Sequence, residues 1–139
     1  MWDKLHDYEA ATKLGDIDLI YFDPVNDSAE KDLEIEEYLK SRSSLPWSVK
    51  NQARMHLKNG DQPYRSTSDA MCYWVEVETA IGAKLSIDGE IELIAPLGLE
   101  ALMANTISMN NRWPKPDFFK QRISEKKWLE HWPNLVVCY

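Results

Sequence analysis

Apolar and polar positions alternate most regularly between Ile81 and Ala95. Ile81, Ala83, Leu85 and Ile87 alternate with Gly82, Lys84 and Ser86, and beyond Asp88-Gly89 the residues Ile91, Leu93 and Ala95 alternate with Glu90, Glu92 and Ile94. A period of two belongs to a strand, and Asp-Gly between two such runs is a strong turn signal, so the pattern predicts a β-hairpin closed by a two-residue turn. Residues 17–22, rich in β-branched and aromatic side chains and stopped by Asp23-Pro24, predict a second kind of strand, a buried one. Shorter strand patterns fall at 45–49 and 106–109.

Helical spacing fills much of the remainder. Residues 2–8 suit a short helix. Asp27 with Glu30 three positions later has the form of a capping box and predicts a helix to about Arg42, with Ile35, Tyr38 and Leu39 as its apolar face and its many acids solvated. Ser66 with Asp69 repeats the device and predicts a helix to about Trp74. "GLEALM" suits one helical turn, and Pro116-Asp117 predicts a last helix carrying Phe119, Ile123, Trp128, Leu129 and Trp132 before Pro133 ends it. The stretch "KNQARMHLKNGD" fits either a continued strand or a helix.

This succession predicts an α+β fold, and 139 residues suit one domain, 1–139, with a sizeable core. A 44% hydrophobic content with six Trp and six Tyr gives that core large apolar surfaces. The net charge of −7 argues against bulk nucleic-acid binding, which needs a surplus of Lys and Arg. Cys72 and Cys138 lie far apart without metal-type spacing and read as reduced thiols of a cytoplasmic protein. No stretch reads as a signal peptide or a membrane span.

Two clusters carry candidate chemistry. In "GDIDLIYFD", Asp16 and Asp18 are two apart, so an extended chain presents both carboxylates on one face. Such a pair suits Mg²⁺, a hard cation commonly held by one or two carboxylates together with substrate phosphates and water. On spacing alone the favoured reading is that one Asp caps the turn after Gly15 and the other is solvated at the strand's end, because D-x-D is a common tripeptide. In "VKNQARMH", Lys50 and Arg54 are suited to phosphate, and the amides of Asn51 and Gln52 to a base or sugar. A polar surface segment with His56 incidental explains the same composition. No nucleophile-elbow, zinc-protease, P-loop or dinucleotide-binding pattern is present, and "KQRISEKKW" reads as the solvated side of the last helix.

The segments "MWDKLHDYE", "GDIDLIYFDP", "WSVKNQARMH", "PYRSTSDAMCYW", "TAIGAKL", "IELIAPLGLEAL" and "RISEKKWLEHWP", in this order, resemble a bacterial nucleotidyltransferase-like family of the polymerase-β-type superfamily. The resemblance covers essentially the whole chain. It implies a mixed sheet flanked by helices, with a C-terminal helix, and an NTP–Mg²⁺ site in which Asp16 and Asp18 are the catalytic metal ligands. Lys50, Asn51, Gln52 and Arg54 are then the candidate substrate-binding residues. The implied partners are an NTP and an acceptor, with a second copy of the chain as a further candidate.

Three departures from the family pattern accompany this resemblance. Relatives carry an additional N-terminal segment with a Gly-containing stretch, so the domain is expected to be N-terminally incomplete. The position after Trp47, acidic in relatives, is Ser48, and the "GLEAL" segment keeps Glu100 but has Ala101 at its second acid's place. They make a catalytically impaired binding or interaction protein the alternative expectation.

Overall fold

The computed structural model describes residues 1–139. In chain order the elements are α1 (Trp2–Leu5), β1 (Ile17–Tyr21), α2 (Ala29–Arg42), β2 (Trp47–Asn51), α3 (Gln52–Asn59), α4 (Thr67–Met71), β3 (Gly82–Leu85), β4 (Ile91–Ile94), α5 (Glu100–Met103), β5 (Thr106–Ser108), α6 (Pro116–Lys126), α7 (Trp128–His131) and β6 (Val136–Cys138). They form two compact units, Thr12–Ala70 and Met1–Ala11 with Met71–Tyr139. The architecture is mixed, with parallel and antiparallel strand pairs and helices between them, and the pairs form three two-stranded sheets. No helix is long and apolar enough to cross a membrane.

In the 12–70 unit, β1 and β2 run parallel, in register from Ile17 beside Trp47 to Tyr21 beside Asn51, with α2 as the crossover. The acids of α2 do more than meet solvent. Glu36 accepts the Val49 N–H (3.1 Å) and Asp32, almost fully buried, accepts the Asn51 N–H (3.1 and 3.2 Å). Helix residues four apart are separated by about 6 Å along the axis, and alternate N–H groups of a strand by about 6.6 Å. Two acids one turn apart therefore match the outward-facing donors of β2 and close an edge that would otherwise be open. The cap of α2 is Ser28, which accepts the Lys31 N–H at 3.3 Å, one residue beyond the expected Asp27.

The ambiguous "KNQARMHLKNGD" is both strand and helix. β2 ends at Asn51, whose side chain accepts the Ala53 N–H at 3.0 Å and so caps α3, and Gly60 ends α3 in the left-handed region at φ 69°.

In the other unit, β5 and β6 run parallel, and just past β5 an isolated antiparallel bridge joins Met109 to Glu76. Ile107, Phe119, Trp128 and Leu135 form the buried core, with Trp2, Ile123 and Trp132 packed against it. The expected last helix is broken in two. Lys127 sits at φ 52° between α6 and α7, a left-handed position that no Gly or Pro announces, and the break lets both Phe119 and Trp128 be buried. The basic stretch there is also not wholly solvated. Arg122 grips the buried Glu76 through two bonds (Nε–Oε1 2.6 Å, Nη2–Oε2 3.1 Å) and lies over the Phe118 and Trp128 rings.

The hairpin forms from β3 and β4, but its turn differs from the one expected. Gly89 donates to the Ser86 carbonyl (3.1 Å) and Ser86 to the Glu90 carbonyl (2.8 Å), with Gly89 at φ 82°. This is a three-residue loop, 87–89, in which Gly supplies the left-handed residue of a bulge. Ala83, Leu85, Ile91 and Leu93 share one face of the hairpin and are exposed.

Candidate functional site

β1 begins at Ile17, so Asp16 stands one residue before the strand and Asp18 within it. With Ile17 extended between them, the two side chains leave the same side of the chain, and both residues are exposed. The parallel register sets Ser48 abreast of Asp18 and Lys50 abreast of Ile20. Asp18, Ser48 and Lys50 therefore share one face of the β1–β2 pair, while Tyr21, Val49 and Asn51 occupy the other, with Asp32 of α2 bound to Tyr21. The Lys50 ammonium donates to the Val49 carbonyl at 2.9 Å.

This face offers only oxygen donors to a cation: two carboxylates and, beside one of them, a hydroxyl. That set suits a hard divalent ion that completes its shell with water and phosphate oxygens. No group of three or more His, Cys, Asp or Glu side chains converges to hold a metal.

The other residues of "KNQAR" face inward. Asn51 is fully buried, and its amide is saturated: Oδ1 accepts from Ala53 and Asp23 (both 3.0 Å), while Nδ2 donates to the carbonyls of Asp23 (2.8 Å) and Asn26 (3.2 Å). Gln52, also buried, donates to the Lys50 carbonyl at 3.2 Å. Arg54 is paired with Asp32, which also accepts from the Tyr21 hydroxyl at 2.7 Å. Of the six residues singled out by sequence, Asp16, Asp18 and Lys50 thus lie along the strand face, and Asn51, Gln52 and Arg54 brace it from within.

Asp32 is the residue that sequence reasoning passed over. Burial alone would raise its pKa, but hydrogen bonds from Arg54, Tyr21 and the Asn51 backbone outweigh burial and hold the carboxyl below its usual value. The Tyr21 hydroxyl is pushed up to about 12, by burial first and then by Asp32, and Arg54 is raised chiefly by its bond to Asp32. The spacing of Asp32 and Glu36, four apart on α2, stands in the sequence, but that β2 has no second neighbouring strand for them to replace is seen only in the fold.

Comparison with known proteins agrees with this architecture. A sequence model described as nucleotidyltransferase matches residues 1–137. Among solved structures, the chain is similar to an NMR structure described as revealing a CCA-adding enzyme head domain, at 32% identity and a TM-score of 0.76, over 98% of this chain and 74% of that one. No curated protein matches the chain.

Proposed function

Since the chain belongs to the nucleotidyltransferase family, we propose that it transfers a nucleoside monophosphate from an NTP to an acceptor hydroxyl, with Mg²⁺ held by Asp16 and Asp18. The observation that carries this reading is the placement of the two exposed carboxylates at the mouth of β1, with Lys50 on the same sheet face. The solved neighbour's description as a CCA-adding enzyme head domain makes CTP and ATP the donors to try first.

In the reaction, the acceptor oxygen bonds to the α-phosphorus, the bond from that phosphorus to the bridging oxygen breaks, pyrophosphate leaves and the hydroxyl proton passes to solvent. Bound Mg²⁺ supplies charge neutralisation for the attacking and leaving oxygens. Asp16 and Asp18 hold and orient that charge, and Lys50 meets a phosphate oxygen by exchanging its bond to the Val49 carbonyl for one to the ligand. Asn51, Gln52 and Arg54 act as positioning residues: they fix the end of β2 and so the direction from which Lys50 projects.

Asp16→Asn and Asp18→Asn are each expected to abolish transfer while leaving the circular dichroism spectrum and unfolding midpoint intact. Transfer at the wild-type rate in either variant overturns the metal-ligand assignment. Mg²⁺ with CTP or ATP is expected to raise the unfolding temperature of the wild type, because a ligand that binds only the folded state stabilises it.

A second reading, a binding or interaction protein without turnover, is favoured by one observation. Ser48 stands directly beside Asp18, at the place where a third carboxylate would reach the same ion. Under this reading the thermal shift with Mg²⁺ and nucleotide persists and no pyrophosphate is released.

A further inference from the structure

An open cavity of about 250 Å³ lies in the unit made of Met1–Ala11 and Met71–Tyr139. Trp2, Leu102 and Trp132 give it apolar walls, Asp3, Glu78 and Thr79 add polar ones, and none of its lining side chains is basic. The two indoles make a corner, with ring centroids 5.1 Å apart and planes inclined at 58°. Trp132 is anchored there, its Nε1–H donating to Asp3 Oδ1 at 2.8 Å. The Trp2 Nε1–H is buried without an acceptor, so packing alone fixes that ring and it is able to tilt onto an occupant.

Glu78 supplies an unpaired charge. Only 4% of the residue is exposed, yet its carboxylate meets neutral donors alone: the Thr106 and Ser108 hydroxyls (2.8 and 2.7 Å) and the Ser108 N–H (2.8 Å). The same Thr106 hydroxyl lies 3.2 Å from the carbonyl of Ala101, which sets the carboxylate close to the segment that carries Leu102. A buried carboxylate is ordinarily offset by a cation. Glu76, equally buried, has Arg122 for this purpose, whereas Glu78 forms no ion pair.

The bonds already made select the occupant. A carboxylate has about four acceptor positions, and Glu78 has filled three, so it offers a ligand negative field more than hydrogen bonds. A metal ion or a primary ammonium needs several acceptors. An alkylated ammonium needs a negative field and aromatic faces, of which indole is the strongest. A cavity of about 250 Å³ also falls below the span of drug-sized ligands, about 300–1,000 Å³, which limits the occupant to a small molecule. The chain's net charge of −7 favours the approach of a cation.

We propose that the cavity lined by Trp2, Trp132 and Glu78 binds a small quaternary ammonium compound, its alkylated nitrogen against the indoles and Glu78 as its counter-charge. The site uses no residue of the β1–β2 face and is independent of the proposed transfer reaction.

The test is titration of the wild-type chain with choline in EDTA, read from the Trp2 and Trp132 Nε1–H NMR resonances, with NaCl at matched ionic strength as the blank. Both resonances are expected to move and saturate, and tetramethylammonium to reproduce the movement. The neutral isostere of choline, with carbon in place of the charged nitrogen, is expected to bind about tenfold more weakly or worse. Trp2→Leu is expected to weaken choline about 2- to 30-fold, the range of a cation on one aromatic ring. Glu78→Gln is expected to bring choline down to the level of the neutral isostere. Both substitutions alter packed side chains, so Leu102→Phe is the companion variant: it fills the cavity, keeps Trp2 and Glu78, and is expected to abolish choline binding while the circular dichroism spectrum is unchanged. Asp18→Asn is expected to bind choline as the wild type does even if transfer is lost, which separates failure of this site from failure of the reaction. Unmoved indole resonances in the wild type, or equal affinity for choline and its neutral isostere, overturns the proposal. Tighter binding of a trimethyl-lysine peptide than of choline, or retention of the chain on phosphatidylcholine vesicles, overturns the choice of a small free molecule.

Discussion

Ser48 is the residue on which the two functional readings part. Its Cα is in register with Asp18, so a carboxylate grafted there points to the same face and reaches the same ion from the neighbouring strand. An added anionic ligand raises cation affinity, and it also repels its neighbours when the cation is absent. Ser48→Asp is therefore expected to lower the unfolding temperature of the metal-free chain slightly. It should strengthen Mg²⁺ or Mn²⁺ binding by about tenfold or more, the scale of one further close charge in a partly exposed site. Isothermal titration with Mn²⁺ reads the affinity. Unchanged binding would mean that Asp16 and Asp18 do not share an ion with position 48, and the metal site would have to be sought elsewhere.

At the level of elements, the junction of β2 and α3 depends on one side chain. Asn51 ends the strand, caps the helix and ties down residues 23–26, and each of its amide's polar atoms is used. Asn51→Ala removes a cap worth about 1 kcal/mol and leaves buried backbone groups without partners, at about 1–3 kcal/mol more. A loss of about 3 kcal/mol, read from the shift of the urea midpoint, is expected, with Asn51→Asp intermediate because it keeps the acceptor and loses the donors. A loss below about 0.5 kcal/mol would show that water replaces the amide. This junction also marks how far the sequence could be read. β1, the helix to Arg42, the hairpin and the final helical region follow from periodicity and caps, because those signals are local. The two exposed members of the D-x-D pair were legible for the same reason. Asp32 was not, because its burial depends on Asn51 and Arg54 from a segment whose own state was ambiguous until β2 paired with β1. The break at Lys127 was hidden for a related reason. A left-handed lysine is tolerated only because burying both Phe119 and Trp128 outweighs its strain.

Across the whole molecule, the two acids that close the edge of β2, together with Asp69, set its response to pH. Asp32, Glu36 and Asp69 are all held below their ordinary values: Asp32 by Arg54, Tyr21 and the Asn51 backbone acting against its burial, Glu36 by Lys40 and then the Val49 N–H, and Asp69 by Arg65. A carboxyl whose folded pKa lies below its unfolded one contributes stability above the unfolded value, and that contribution disappears as pH falls through the folded value. Protonation also reduces a net charge of −7, which relieves self-repulsion. The two effects oppose each other below neutrality. Relief of diffuse surface charge is screened by salt, whereas the Asp32–Arg54 pair is partly shielded from it, so at moderate ionic strength the loss dominates. The unfolding temperature is expected to be level between about pH 6 and 8 and to fall below about pH 5, where ordinary carboxyls begin to protonate. At the alkaline end, Tyr21, raised from 10.0 to about 12, contributes stability that is complete below pH 10.0 and is lost as pH rises toward 12. Asp32→Asn separates these contributions. At neutral pH it destabilises the fold by leaving the Arg54 charge unpaired, and it flattens the acid limb because the group that titrated there is gone. An acid limb as steep in Asp32→Asn as in the wild type would move the origin of acid sensitivity away from the 12–70 unit's buried pair and onto its exposed carboxylates.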